Sequence, residues 1–338
     1  MKYLPKGKKL TMTIVVFLLW IFAFKTTIAQ TVSDTTDFHE LTVFIIDPAA
    51  PIHWQSPSKL YASIKKSFFR KVFHPQMRFL GHMAFCLNSD LLEEPLWMGI
   101  APRGQWQLLN QLLIKKAGLG VLGIPFKAKI EGKQLLKRSI SYNNRKNNAA
   151  FITFRINEKS AKRILDFLSV FNKRVNDKYA PSNFYGGIFW PLYENEGAGC
   201  SALCIAAMEA AGIKMSESDT WRVKLNIPLE LIGSNFNNGK KIALRKIKNT
   251  TTWYQGAGIP EQDFIKFEIY DPALVMKWVE NKMNQEYGQY NNLSHNNLRG
   301  LYYDYRHLDT VYAITPLKKR PVPTLFIQSY KDKFFKKN

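Results

Sequence analysis

Acidic residues are scarce: 26 Asp and Glu stand against 48 Lys and Arg in 338 residues, a formal net charge of +22. An imbalance of that size favours anionic partners such as phospholipid headgroups, acidic glycans or other polyanions. Cysteine is almost absent, with only Cys86, Cys200 and Cys204. Three thiols with no paired Cys-x-x-Cys spacing exclude a zinc-finger or iron–sulfur framework, and an odd number leaves at least one free. One pairing to weigh is Cys86 with Cys204, which would leave Cys200 alone. A glycine-rich phosphate loop is missing too, because Gly118, Gly120 and Gly123 lack both the spacing and a following Lys-Ser/Thr. No apolar run reaches the roughly twenty residues that span a bilayer. Neither an RNA-reading aromatic motif nor finger spacing accompanies the charge, so nucleic acid is not an expected partner.

The N-terminus is the first positive signal. Four lysines lie within residues 1–9, residues 10–24 are almost wholly apolar, and Thr27-Ile28-Ala29-Gln30 offers small residues for cleavage. This is the pattern of a secretory signal over 1–30. The expected mature chain is exported, periplasmic or extracellular, and soluble or bound peripherally to a membrane through its basic surface. Removing five lysines and no acid takes the charge from +22 to +17.

Alternation and punctuation give the coarse structure. Strands are expected at residues 41–47 (LTVFIID), 77–87 (MRFLGHMAFCL), 96–100, 150–156 (AFITFRI), 221–227, 241–246 and 264–270. Helices are expected at 57–70 after the Ser56-Pro57 cap, at 106–116, at 157–171, at 200–212 and at 272–285. Residues 131–148 and 291–297 read as polar loops, and the C-terminal segments KKRPVP and KDKFFKKN as a basic tail. Strands and helices alternate without a strict βαβ rhythm, so the fold class is α+β.

Chemistry concentrates at Cys200. Gly197-Ala198-Gly199 lets the backbone approach a substrate, and a small-residue helix starts at once, so dipole and free N–H groups favour a thiolate and could receive an oxyanion. A thiol nucleophile needs a base, commonly histidine. Of six histidines only His82 sits inside an apolar strand; Cys86, four residues along, lies about 13 Å away at ~3.3 Å per residue. Cys86 and Cys204 read as structural. Asp304, His307 and Asp309 could suggest metal ligands, but their segment (LYYDYRHLDTVYA) reads better as aromatic structure with turns, and no cofactor or metal is expected. Asn249 and Asn292 match the glycosylation sequon, a common chance match.

The stretch from Tyr185-Gly186-Gly187 through GAGCSALCIAAMEAAGI resembles the nucleophile segment of NlpC-type papain-like cysteine peptidases, and GHMAFCL is similar to the histidine strand of that superfamily. The histidine strand comes first here, as in the circularly permuted branch that includes lecithin:retinol acyltransferase-like proteins. The resemblance covers about residues 41–212. It implies an antiparallel sheet packed against the nucleophile helix, a papain-like core over 31–215, and a 216–338 extension or small subdomain. It also implies Cys200 as nucleophile, His82 as base and Tyr185 near the oxyanion, with Tyr193 as substitute. Gly199 stands where many such enzymes carry aspartate. No polar third residue follows His82 on the next strand (LWMGI), so Asn88, Asp90, Glu93, Glu94 or Gln105 are left to orient the imidazole. The expected activity is hydrolysis or acyl transfer at amide or ester bonds of envelope material, peptidoglycan peptides or lipid and lipoprotein acyl groups. The alternative is a noncatalytic module of the same fold that binds anionic polymer or a protein.

Overall fold

In the computed structural model, residues 38–104, 107–108, 110–175, 177–285, 298–308 and 317–336 are described. The signal-like segment, the 291–297 loop and Asp309 lie outside them. Residues from Phe38 onward form one packed unit.

The centre is a seven-stranded sheet whose members are, in chain order, β1 (His39–Ile46), β2 (His82–Ser89), β3 (Leu96–Pro102), β4 (Phe126–Glu131), β5 (Ala149–Arg155), β6 (Phe184–Tyr185) and β9 (Gly300–Asp304). The spatial order is β6-β4-β3-β2-β1-β5-β9, antiparallel except for the β5–β9 pair. The class is therefore α+β. Side chains alternate between two buried faces, which explains the near-continuous apolar runs. Leu41, Val43 and Ile45 of β1, with Met83, Phe85 and Leu87 of β2, pack against helices α3 (Glu158–Asn172), α4 (Cys200–Ala210) and α6 (Pro272–Gln285). Phe44, Ile46, Ala84 and Cys86 point the other way, onto Leu136 and Ile140 of α2 (Lys133–Asn144).

Caps fix where the helices begin. Ser56 accepts from the Lys59 N–H ahead of α1 (Pro57–Phe73), Asn157 accepts from the Ser160 N–H ahead of α3, and Asp271 accepts from the Ala273 N–H beside Pro272. α4 carries apolar or small residues all round and is buried along nearly its whole length, as a helix at the heart of a core must be.

Several sequence expectations are corrected. Residues 131–148 are not an exposed loop: Glu131 ends β4, and α2 follows, burying Leu136, Ser139, Ile140 and Asn143. The β2 strand starts only at His82. Residues 107–108 are helical and Asn110–Ile114 follow as a π-helix, so helical structure stands where the helix was expected. Residues 241–246 are not a strand, because α5 (Leu244–Asn249) occupies that segment. β7 (Arg222–Pro228) and β8 (Phe264–Tyr270) form an antiparallel ribbon over a second core, joined by Phe326 of α7 (Leu325–Phe334). The KDKF part of the expected basic tail is thus packed helix. The Cys86–Cys204 disulfide is absent, and all three thiols are free.

Candidate active site

Two close approaches build the site. The β6 strand bridges to Ala198, with the Gly186 N–H donating to Ala198 and the Ala198 N–H to Phe184. At Gly197 a Cβ would fall 2.3 Å from the Phe184 carbonyl oxygen, so only glycine allows this approach. The pairing sets Tyr185 beside the start of α4, where Gly199 is the N-cap and Cys200 the first helical residue. The Tyr185 hydroxyl lies 4.0 Å from Cys200 Sγ and donates toward it.

His82, first residue of β2, comes to the same point. Its imidazole and the backbone N–H of the next residue, Met83, lie close enough to Cys200 to lower the thiol. His82 Nε2 lies 2.6 Å from Glu131 Oε2. Neither of these two buried atoms has an aligned hydrogen-bond partner; the contact is a close charge pairing. Glu131 is itself held by Arg78, 2.9 Å away, which also donates to Ser139 Oγ at 3.1 Å.

Sequence reasoning missed Glu131 because the acid is not on the strand next to His82. It sits on β4, two strands away, opposite Gly99 of β3, which in turn pairs with Ala84 of β2. A Cβ on Gly99 would stand 3.3 Å from His82 Nε2 and 3.1 Å from Leu136. The glycine is the gap through which imidazole and carboxylate meet over the intervening strand. A lone glycine inside an apolar strand was the available signal, since it marks a close approach. Among the earlier candidates, Asp90 accepts from the Phe38 N–H and Glu94 pairs with Lys133, so both are engaged elsewhere. Tyr193 stacks under Arg320. Asp304 pairs with Arg306 and His307 stacks on Tyr305; among the described residues no group of metal-ligating side chains forms.

The electrostatics follow from the contacts. Burial opposes ionisation of Cys200, yet the hydrogen bond and charge of His82, with the Met83 N–H and Tyr185 hydroxyl, bring the thiol down to about 7. Burial and the Arg78 charge work against a protonated His82, and its interactions with Cys200 and Glu131 prevail, raising it above its ordinary value. Glu131, despite burial, is brought to about 2 by His82 and Arg78. Burial and the neighbouring sulfur hold the Tyr185 hydroxyl protonated, so it stays a donor. The other thiols go the opposite way: burial pushes Cys86 up to about 12 and Cys204 well above its ordinary value.

An imidazolium stabilised by a carboxylate, next to a sulfur at a helix N-terminus, can hold a thiolate and later deliver a proton to a leaving group. The first N–H groups of α4 have no intrahelical carbonyl to pair with, which leaves them free to receive an oxyanion. No family model, no curated protein and no solved structure matches the chain.

Proposed function

We propose that the protein is a cysteine hydrolase or acyltransferase of the papain-like type, with Cys200 as nucleophile, His82 as acid and base, Glu131 as the residue that orients and charges His82, and Tyr185 as a donor beside the oxyanion. The observation that carries this reading is the approach of Glu131 to His82 at 2.6 Å, with His82 in turn lowering the Cys200 thiol. The thiolate attacks an amide or ester carbonyl and forms a thioester, the proton on His82 leaves with the amine or alcohol, and water or a second amine then releases the acyl group. Export and an anionic envelope substrate, peptide or lipid, are consistent with the basic charge and the signal-like N-terminus. The noncatalytic alternative drew its support from the lack of a third residue, and Glu131 removes that support.

A short exposure to limiting iodoacetamide at pH 7, followed by peptide mapping, tests the reading. Cys200 should carry nearly all the label, Cys86 and Cys204 almost none until denaturation, and His82→Ala should slow labelling at least tenfold. An activated acyl ester should leave a mass adduct on Cys200 in the wild type. Uniformly slow labelling indifferent to His82, with no acyl adduct, would point to a binding module.

A further inference from the structure

Helix α1 buries Leu60, Ser63 and Ser67 and yet leaves Phe69 at 51%, Val72 at 57% and Phe73 at 78% exposure. The buried serines secure it to the sheet side: Ser67 Oγ donates to the Phe79 carbonyl and accepts from the Ala50 N–H, and Ser63 Oγ accepts from the His53 N–H. At 100° per residue, Ala62, Phe69 and Phe73 form one outward line. Lys65 and Val72 flank it on one side, Lys66 and Arg70 on the other. Lys65, Lys66 and Arg70 are exposed.

The charge around this line has one sign. Residues 48–89 contain six lysines and arginines and no acid. α1 packs on α5, whose Arg245 and Lys248 are exposed and whose Lys248 lies over the Tyr61 ring. An apolar ridge rimmed by cations is how a helix lies in a bilayer interface, aromatic rings among the acyl chains and ammonium groups at the phosphates. No helix among the described residues is long and apolar enough to cross a membrane, so the contact would be in the plane of the surface.

We infer that α1 docks the protein on an anionic lipid bilayer, with Phe69 and Phe73 entering the interface and Lys65, Lys66 and Arg70 meeting lipid phosphates. This inference does not rest on the thiol chemistry, and the two fail separately.

Flotation of the full chain with phosphatidylglycerol-containing vesicles, against pure phosphatidylcholine vesicles, tests it. The wild type should prefer the anionic vesicles and lose that preference at high salt. Each of Lys65→Gln and Lys66→Gln should weaken partitioning about fivefold, and Phe69→Ser with Phe73→Ser about tenfold per ring. Because these side chains are exposed, circular dichroism and melting should stay as in the wild type, and Cys200→Ser should float like the wild type. Equal flotation of wild type and the phenylalanine variants overturns the inference. So does a wild-type dimer that the phenylalanine variants convert to monomer, since a second copy would then cover the face.

Discussion

At the scale of single residues, the site depends on one buried carboxylate. Glu131 lowers the free energy of the protonated imidazole, and that imidazolium stabilises the thiolate. Glu131→Gln keeps the shape and removes the charge. The midpoint for Cys200 alkylation should therefore climb from about 7 toward the ordinary 9.0, and the rate at pH 6 should fall about tenfold for each pH unit of that climb. Rates measured from pH 5 to 10 decide the matter, and an unmoved midpoint would deny Glu131 its role. The same carboxyl bears on stability. Its native value, near 2, lies below the ordinary 4.5. Its charge therefore stabilises the fold above pH 4.5, and that contribution disappears as pH falls through about 2. Urea unfolding of Glu131→Gln should show a smaller drop over that window than the wild type.

At the scale of elements, what was legible in the sequence and what was not have separate physical causes. Tyr185 was expected only from the family resemblance, whereas the Cys200 helix and the His82 strand declared themselves locally, through glycines before a small-residue helix and a histidine in an apolar run. β4 did not, because FKAKIE is an edge-facing strand with two exposed lysines, and its one buried charge looks polar until Arg78 and His82 arrive from elsewhere. α2 was hidden likewise: its buried Ser139 accepts from Arg78 and the Asn143 amide donates to backbone carbonyls, contacts that exist only after folding. Pairing β3 between β2 and β4 turns Gly99 into a functional position. Gly99→Val should place methyl groups where the imidazole and Leu136 now are, in a core that cannot readily absorb them. Cys200 labelling at pH 7 should drop at least tenfold while far-UV circular dichroism keeps its native shape. Unchanged labelling would mean that His82 does not need the gap.

At the scale of the whole molecule, the last helix and the nucleophile loop are tied together by charge. Glu196, three residues before the Gly199 cap, is fully buried. Its carboxylate takes Arg320 at 2.6 Å and Lys331 at 3.1 Å, and it accepts from the Trp190 N–H. Tyr330 of α7 adds aromatic contacts to Phe184 and Phe189 on either side of Tyr185. The loop before Cys200 is therefore clamped by residues more than a hundred positions later in the chain, and the 216–338 segment bears on the site. Removing one member of a buried ion pair leaves the other uncompensated, at a cost of about 3 kcal/mol. Arg320 remains partly exposed and Lys331 still reaches Glu196, so Arg320→Ala should cost less, about 2 kcal/mol. Chemical denaturation gives that number directly. Hydrogen exchange should show where the loss falls: amides of 186–199 and of α7 should exchange faster together while β1 and β5 stay protected. Loosening confined to α7, with the loop unaffected, would show that the clamp holds only the C-terminus and that the nucleophile loop stands without it.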